Sequence, residues 1–351
     1  MRIRRSLPIL IGVLLAAGAV ALVVVLRKHA PPEPARLLPG AEGFLYVDVK
    51  WMRRVNLLGN LPQVAHDPEY EQFIQATGIE PERDLEEAAL AIHYPPDTAG
   101  AGGEPLRFSE VLVGHFQAER LSVYLRKAAS SVESYRSTEI YNIPLESRTL
   151  RVAVLAVNTL AASNAPDPQV IRGIIDRSRK LASPFGGPAL LRQFYKEVPL
   201  ASLAWAVVKV NPGPGLGAPS AGPLSWSFLF PKPAVVVASA RYLGSLHLKA
   251  AAFTASPEDA AQLSQKVGTF LNLFRTAQST TPTSGADPEV RALFDSLKVE
   301  QEKNRTVVTA VAPVGFVRKI LWEAPTGVPT APPLQPTGPP PVPPAAKGKQ
   351  R

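Results

Sequence analysis

The sequence predicts an α+β fold: antiparallel sheets packed with amphipathic helices, behind an N-terminal transmembrane helix. Three observations carry that expectation. Aromatic and β-branched runs of strand length are closed by hairpin turns. Capped segments with helical periodicity lie between them. Leu7 to Leu26 form an unbroken apolar stretch without a charge.

That stretch comes first in the chain. Twenty residues rise about 30 Å as a helix, the thickness of a bilayer's hydrocarbon core. Thirteen of them are Leu, Ile or Val. Each favours insertion by about 0.3–0.6 kcal/mol near the centre, which together offsets Pro8 and Gly12. Arg2, Arg4 and Arg5 stand before the stretch, and Arg27 and Lys28 after it. A removable signal has an apolar stretch of only about 7–15 residues. Ala19-Val20-Ala21 has the character of a cleavage site, but cutting there leaves Leu22 to Leu26 heading the mature chain. A retained anchor is therefore expected, with residues 1–6 cytoplasmic, 7–26 in the membrane and the body extracytoplasmic (periplasmic). The membrane, held through Leu7 to Leu26, is the first expected partner. With no cysteine in the chain, disulfides, thiol catalysis and a lipid-modified N-terminal Cys are excluded.

The net charge of +9 invites a nucleic-acid reading. Five of the basic residues flank the apolar run, however, and Lys347, Lys349 and Arg351 close the chain. About +1 remains for the stretch between, too little for a face that tracks phosphates. No nucleic-acid partner is expected.

Residues 27–40, with Pro31, Pro32, Pro34 and Pro39, read as a stiff linker. The body follows as two α+β lobes, 41–183 and 184–323. It opens at Gly43 with a strand, Phe44-Leu45-Tyr46-Val47-Asp48-Val49. Asp67 as N-cap, Pro68 at the first position, Glu69 and Glu71 start a helix that Gly78 stops. Strands are expected near 88–94 and 108–116, around the Gly/Pro-rich loop 95–105. A helix over 118–130 places Leu121, Leu125 and Ala128 on one face. Two or more strands run through Val132–Ser163, and Asp167-Pro168 starts a helix ending near Leu181.

After Ser183-Pro184 the pattern begins again. A short helix near 188–197 leads to a strand over Leu203–Val210, then a loop over 211–223. Strands near 234–243 and 245–255 meet at Gly244. Ser256-Pro257-Glu258-Asp259 opens a long helix to about Ala277, and Asp287-Pro288-Glu289 another. A hairpin joins Lys298–Glu302 to Thr306–Ala312, and a short helix ends near Trp322. The recurrence fits either a duplicated strand-hairpin-helix unit or a chance likeness within one mixed domain, and the sequence leaves both open. In the tail, 324–351, ten of the twenty residues from Pro325 are Pro, a composition that cannot bury a core.

Several of these phrases carry a resemblance. They are the opening strand Gly43–Val49, Thr77-Gly78-Ile79-Glu80-Pro81-Glu82-Arg83-Asp84-Leu85, the Ser256-Pro257-Glu258-Asp259 helix, and Asp287-Pro288-Glu289-Val290-Arg291-Ala292-Leu293. In this order they are similar to a loose group of uncharacterised bacterial membrane-anchored or secreted extracytoplasmic α+β proteins. The resemblance implies the location and the fold class. It implies no named activity and carries over no catalytic residue.

The residues themselves offer little chemistry. His93 and His115 fall on consecutive strands, about six residues apart along the sheet. That is roughly 20 Å, too far to share a metal or a proton. Neither a cofactor nor a metal site is expected. Asp48 interrupts an apolar strand on the side of Phe44 and Tyr46, as a buried acid, as a cap of the strand end or as the partner of a basic residue. Gly213-Pro214-Gly215-Leu216-Gly217 lacks the donors and the following helix that a phosphate loop needs. Trp226, Phe228 and Phe230 alternate onto one side, either in the core or as an exposed ridge able to grip a lipid or a partner. The expected function is a non-enzymatic, membrane-anchored binding or scaffold protein of the bacterial envelope. An amphiphile carrier with an apolar cleft is the first alternative, and an envelope hydrolase the second.

Overall fold

The computed structural model describes residues 30–57, 67–94, 107–145, 148–179, 186–210, 230–280 and 288–323. The apolar run 7–26, Trp226, Phe228 and the tail lie outside the described residues. Among those described, no helix is long and apolar enough to cross a membrane.

The first half contains α1 (Glu33–Leu37), β1 (Gly43–Asp48), α2 (Val49–Arg54), α3 (Pro68–Thr77), α4 (Pro81–Asp84), β2 (Leu85–His93) and β3 (Arg107–Gly114). It continues with α5 (Ala118–Ala128), β4 (Ser131–Tyr135), β5 (Thr138–Leu145), β6 (Arg148–Ala156), β7 (Thr159–Ser163) and α6 (Gln169–Arg179). The second half has α7 (Ala189–Phe194), β8 (Ala204–Val210), β9 (Ala234–Tyr242), β10 (Leu246–Phe253), α8 (Pro257–Thr280), α9 (Pro288–Ser296), β11 (Lys298–Glu302), β12 (Arg305–Ala312) and α10 (Val314–Glu323).

Local chemistry sets many of these boundaries. The Asp67 carboxylate accepts from the Tyr70 amide at 2.7 Å, and Gly78 takes the left-handed conformation that ends α3. Arg136 and Ser137, both with positive φ, make the two-residue turn between β4 and β5. Gly244, with φ of 86°, turns β9 into β10.

The twelve strands among the described residues form one antiparallel sheet, in the order β11-β12-β10-β9-β8-β1-β2-β3-β7-β6-β5-β4. The two halves join at the β1–β8 pair, with Phe44 opposite Val207 and Tyr46 opposite Trp205. Each of these strands opens a three-strand meander, β1-β2-β3 and β8-β9-β10. In both halves the third strand leads to a helix, α5 or α8, and a later strand, β7 or β12, returns beside the third. The α+β class with antiparallel pairing is thus the observed one, and the element order recurs in the two halves.

Alternation gives the sheet two unlike faces. One is closed by α1, α6 and α7: Leu37, Ile174 and Leu191 pack on Phe44, Val111, Ile140, Trp205 and Val207 in a single core. The other, among the described residues, is covered mainly toward its flanks. There α5 places Leu121 and Leu125 with Tyr141, Val152 and Leu160, while α8 places Leu263 and Val267 with Val236 and Ala252.

One expectation changes, and another gains its strand count. Within the proline-rich linker 27–40, residues 33–37 are helical, and Ala35, Leu37 and Leu38 are buried in the core. Proline is tolerated in a helix's first turn, so Pro34 starts α1 and does not break it. The stretch Val132–Ser163 is a four-stranded meander, β4 to β7.

Candidate functional site

Where neither flanking helix reaches, the second face carries an apolar recess of about 460 Å³. Its floor is built from alanines. Ala204 and Ala206 on β8, Ala238 and Ala240 on β9, Ala250 on β10 and Ala310 on β12 all line it. Register brings them together: Ala206 lies opposite Ala238, and Ala238 opposite Ala250; likewise Ala204 lies opposite Ala240. Their sequence neighbours Trp205, Val207 and Val237 point into the closed core. At these positions β8 and β9 therefore spend their bulk on one face and leave methyl groups on the other.

The walls are larger. Leu45 and Val47 rise from β1, Leu248 and Val308 from β10 and β12, and Leu297 from the junction of α9 and β11. Five hydrogen bonds from three side chains tie the segments around the recess together. The Ser296 hydroxyl accepts from the Val311 amide at 2.8 Å and donates to its carbonyl at 3.1 Å. Arg275 of α8 donates from Nη2 to the carbonyls of Phe294 and Leu297, at 3.1 and 2.9 Å. Arg318 of α10 donates from Nη2 to the Asn56 carbonyl at 2.6 Å, just beyond α2. The volume falls within the roughly 300–1,000 Å³ of small-molecule sites. Tyr46, Ser239, Lys249 and Thr309 also border the recess, on the register row that alternation assigns to the other face; the side chains of the recess face offer dispersion and apolar contact.

The sequence-predicted residues that the structure describes, Asp48 and Phe230, lie elsewhere. Asp48 is half-buried and serves as N-cap of α2, its Oδ1 accepting from the Trp51 amide at 2.7 Å. Opposite it Glu87 accepts from the Tyr46 hydroxyl at 2.9 Å, and burial pushes its carboxyl pKa up. Phe230 is partly buried against α8, beside Val236 and Leu263, and does not line the recess. Trp226 and Phe228 lie outside the described residues.

The histidines do not converge. His115 is exposed, with Nδ1 3.8 Å from Glu86. His93 contacts the Ser109 hydroxyl at 3.1 Å, which in turn meets Ser163 at 2.9 Å. Burial lowers the His93 pKa, and Ser109 is itself fully buried, so it presents no nucleophile to a substrate. Among the described residues no group of three or more His, Asp or Glu is placed to hold a metal ion.

The sequence reading offered an apolar cleft only as an alternative and located neither this recess nor its alanine floor. It also passed over Glu110, a carboxylate flanked by Phe108 and Leu112 on the side of β3 that alternation places on the recess face. Its position between Phe108 and Leu112 was the available signal.

Fold and recess together define a class: an α+β protein on one twelve-stranded antiparallel sheet with an apolar pocket on its partly covered face. No protein-family model and no curated protein matches the sequence. Among solved structures the chain is similar to TP0453. Against its crystal form III the TM-score is 0.42 at 11% identity, covering 84% of this chain and 99% of that chain. Against crystal form IV it is 0.43 at 10% identity, covering 83% and 97%.

Proposed function

We propose that this chain is a non-enzymatic, membrane-anchored extracytoplasmic binding protein that carries an amphiphile of the bacterial envelope. Leu7 to Leu26 hold it in the bilayer with residues 1–6 in the cytoplasm and the body in the periplasm. The alanine-floored recess takes the alkyl part of the ligand. One observation carries this reading: an apolar space of about 460 Å³ sits on the same sheet whose opposite face is solidly packed. Burying a chain there removes apolar area from water at roughly 25 cal/mol per Å².

The test is photolabelling of the full-length protein in membranes with a long-chain alkyl diazirine, followed by peptide mapping. Adducts on β1, β8 and β9, around Leu45, Ala206 and Ala238, are expected. Labelling confined to residues 7–26 and to surface helices refutes the proposal.

A further inference from the structure

One register row leads out of the recess. From Ala238 it passes Ala206 and Leu45 to Leu90 on β2 and then to Glu110 on β3. Beyond Glu110 it continues through Ala162 to Val152, under α5. Every position named is apolar except Glu110. That side chain stands two strands from Leu45, roughly 10 Å at about 4.8 Å per strand. The recess lining stops at β1, and Leu90 and Glu110 continue the same row beyond it, toward the part that α5 covers.

Glu110 is half-buried, and among the described residues no hydrogen-bond donor or cation reaches its carboxylate. Burial alone pushes its pKa up. A carboxylate on an apolar strip without a counter-charge costs stability, and a partner that arrives with a ligand removes that cost. A cationic donor head gains a charge-assisted hydrogen bond there. An anionic head placed beside the same carboxylate is repelled.

We infer that Glu110 receives the head of the bound amphiphile, so the ligand is a cationic one, an alkyl chain ending in a protonated amine. The chain lies over Ala206 and Leu45, and the ammonium reaches along the row to the Glu110 carboxylate. This deepens the carrier reading and rests on it.

The experiment uses the full-length protein in membranes and three diazirine probes of equal chain length: alkylammonium, alkylcarboxylate and a headless alkane. Labelling of β1, β2 and β8 peptides is compared between wild type and Glu110→Gln in identical membranes, which cancels differences in probe partitioning. The ammonium probe is expected to exceed the other two by about tenfold or more, the scale of a hydrogen bond to a charged group. Glu110→Gln is expected to bring that preference to near one while leaving headless-alkane labelling unchanged. Glu110→Asp, which keeps the charge, is expected to retain part of it. Equal labelling by all three heads, or a preference that persists in Glu110→Gln, overturns the head-group assignment and leaves the carrier proposal standing. Absence of label from the recess with every probe overturns both.

Discussion

Phe44 and Leu45 are neighbours in one strand, yet they live in different environments. Phe44 is fully buried under α1 and α6, among Val111, Ile174 and Val207. Leu45, one residue on, is half-buried at the wall of a recess floored by alanine methyls. The contrast extends across the sheet: Trp205, Val207 and Val237 fill the closed face, while Ala204, Ala206 and Ala238 line the open one. Stability and binding are thus separated by strand alternation, with one face invested in the core and the other left unfilled.

Truncation on the two faces breaks the comparison most visibly. Phe44→Ala removes a ring from a close-packed site and is expected to cost about 3–5 kcal/mol. Leu45→Ala is expected to cost about 1 kcal/mol or less, because its side chain keeps part of its exposure. Urea titration of both variants measures the gap, and equal losses mean that the recess face is also core.

Enlargement gives the reverse test. Ala89 is buried in the closed core, and Ala89→Leu is expected to overpack it by about 1–3 kcal/mol. Ala238→Leu extends into empty space and is expected to change stability by no more than about 0.5 kcal/mol. Thermal melts of the pair sharpen the comparison, and a loss in Ala238→Leu as large as in Ala89→Leu removes it.

The smallest effect is electrostatic. Burial raises the folded-state pKa of Glu110 above its unfolded value, so the protonated form suits the fold better. The resulting penalty is absent below the unfolded pKa, about 4.3, and grows as pH rises through the folded one. Glu110→Gln is therefore expected to melt with wild type near pH 4 and above it near pH 7. A difference constant with pH contradicts this assignment.

Much of the local structure was legible in the sequence. Asp67-Pro68 and Gly78 bracket α3, Gly244 marks the β9–β10 turn, and the alternation in Phe44–Asp48 identifies β1. These signals are local, each set by a few residues' backbone preferences. What joins distant strands was not legible. The β1–β8 pairing, which makes one sheet of both halves, depends on tertiary register between residues some 160 apart. The recess was hidden for a related reason. Its floor is alanine drawn from four strands, and alanine carries neither strong strand preference nor polar chemistry in a single segment. Only pairing turns those alanines into one surface. The proline-rich start of α1 misled because Pro marks both linkers and helix N-termini.

The most direct test of the recess as a binding site is the amphiphile retained by the full-length protein after purification from membranes. Wild type is compared with the double variant Ala206→Leu/Ala238→Leu, and the extracted ligand is counted by mass spectrometry. The account predicts close to one long-chain molecule per wild-type chain and almost none for the equally stable filled variant. Equal recovery from both proteins contradicts it.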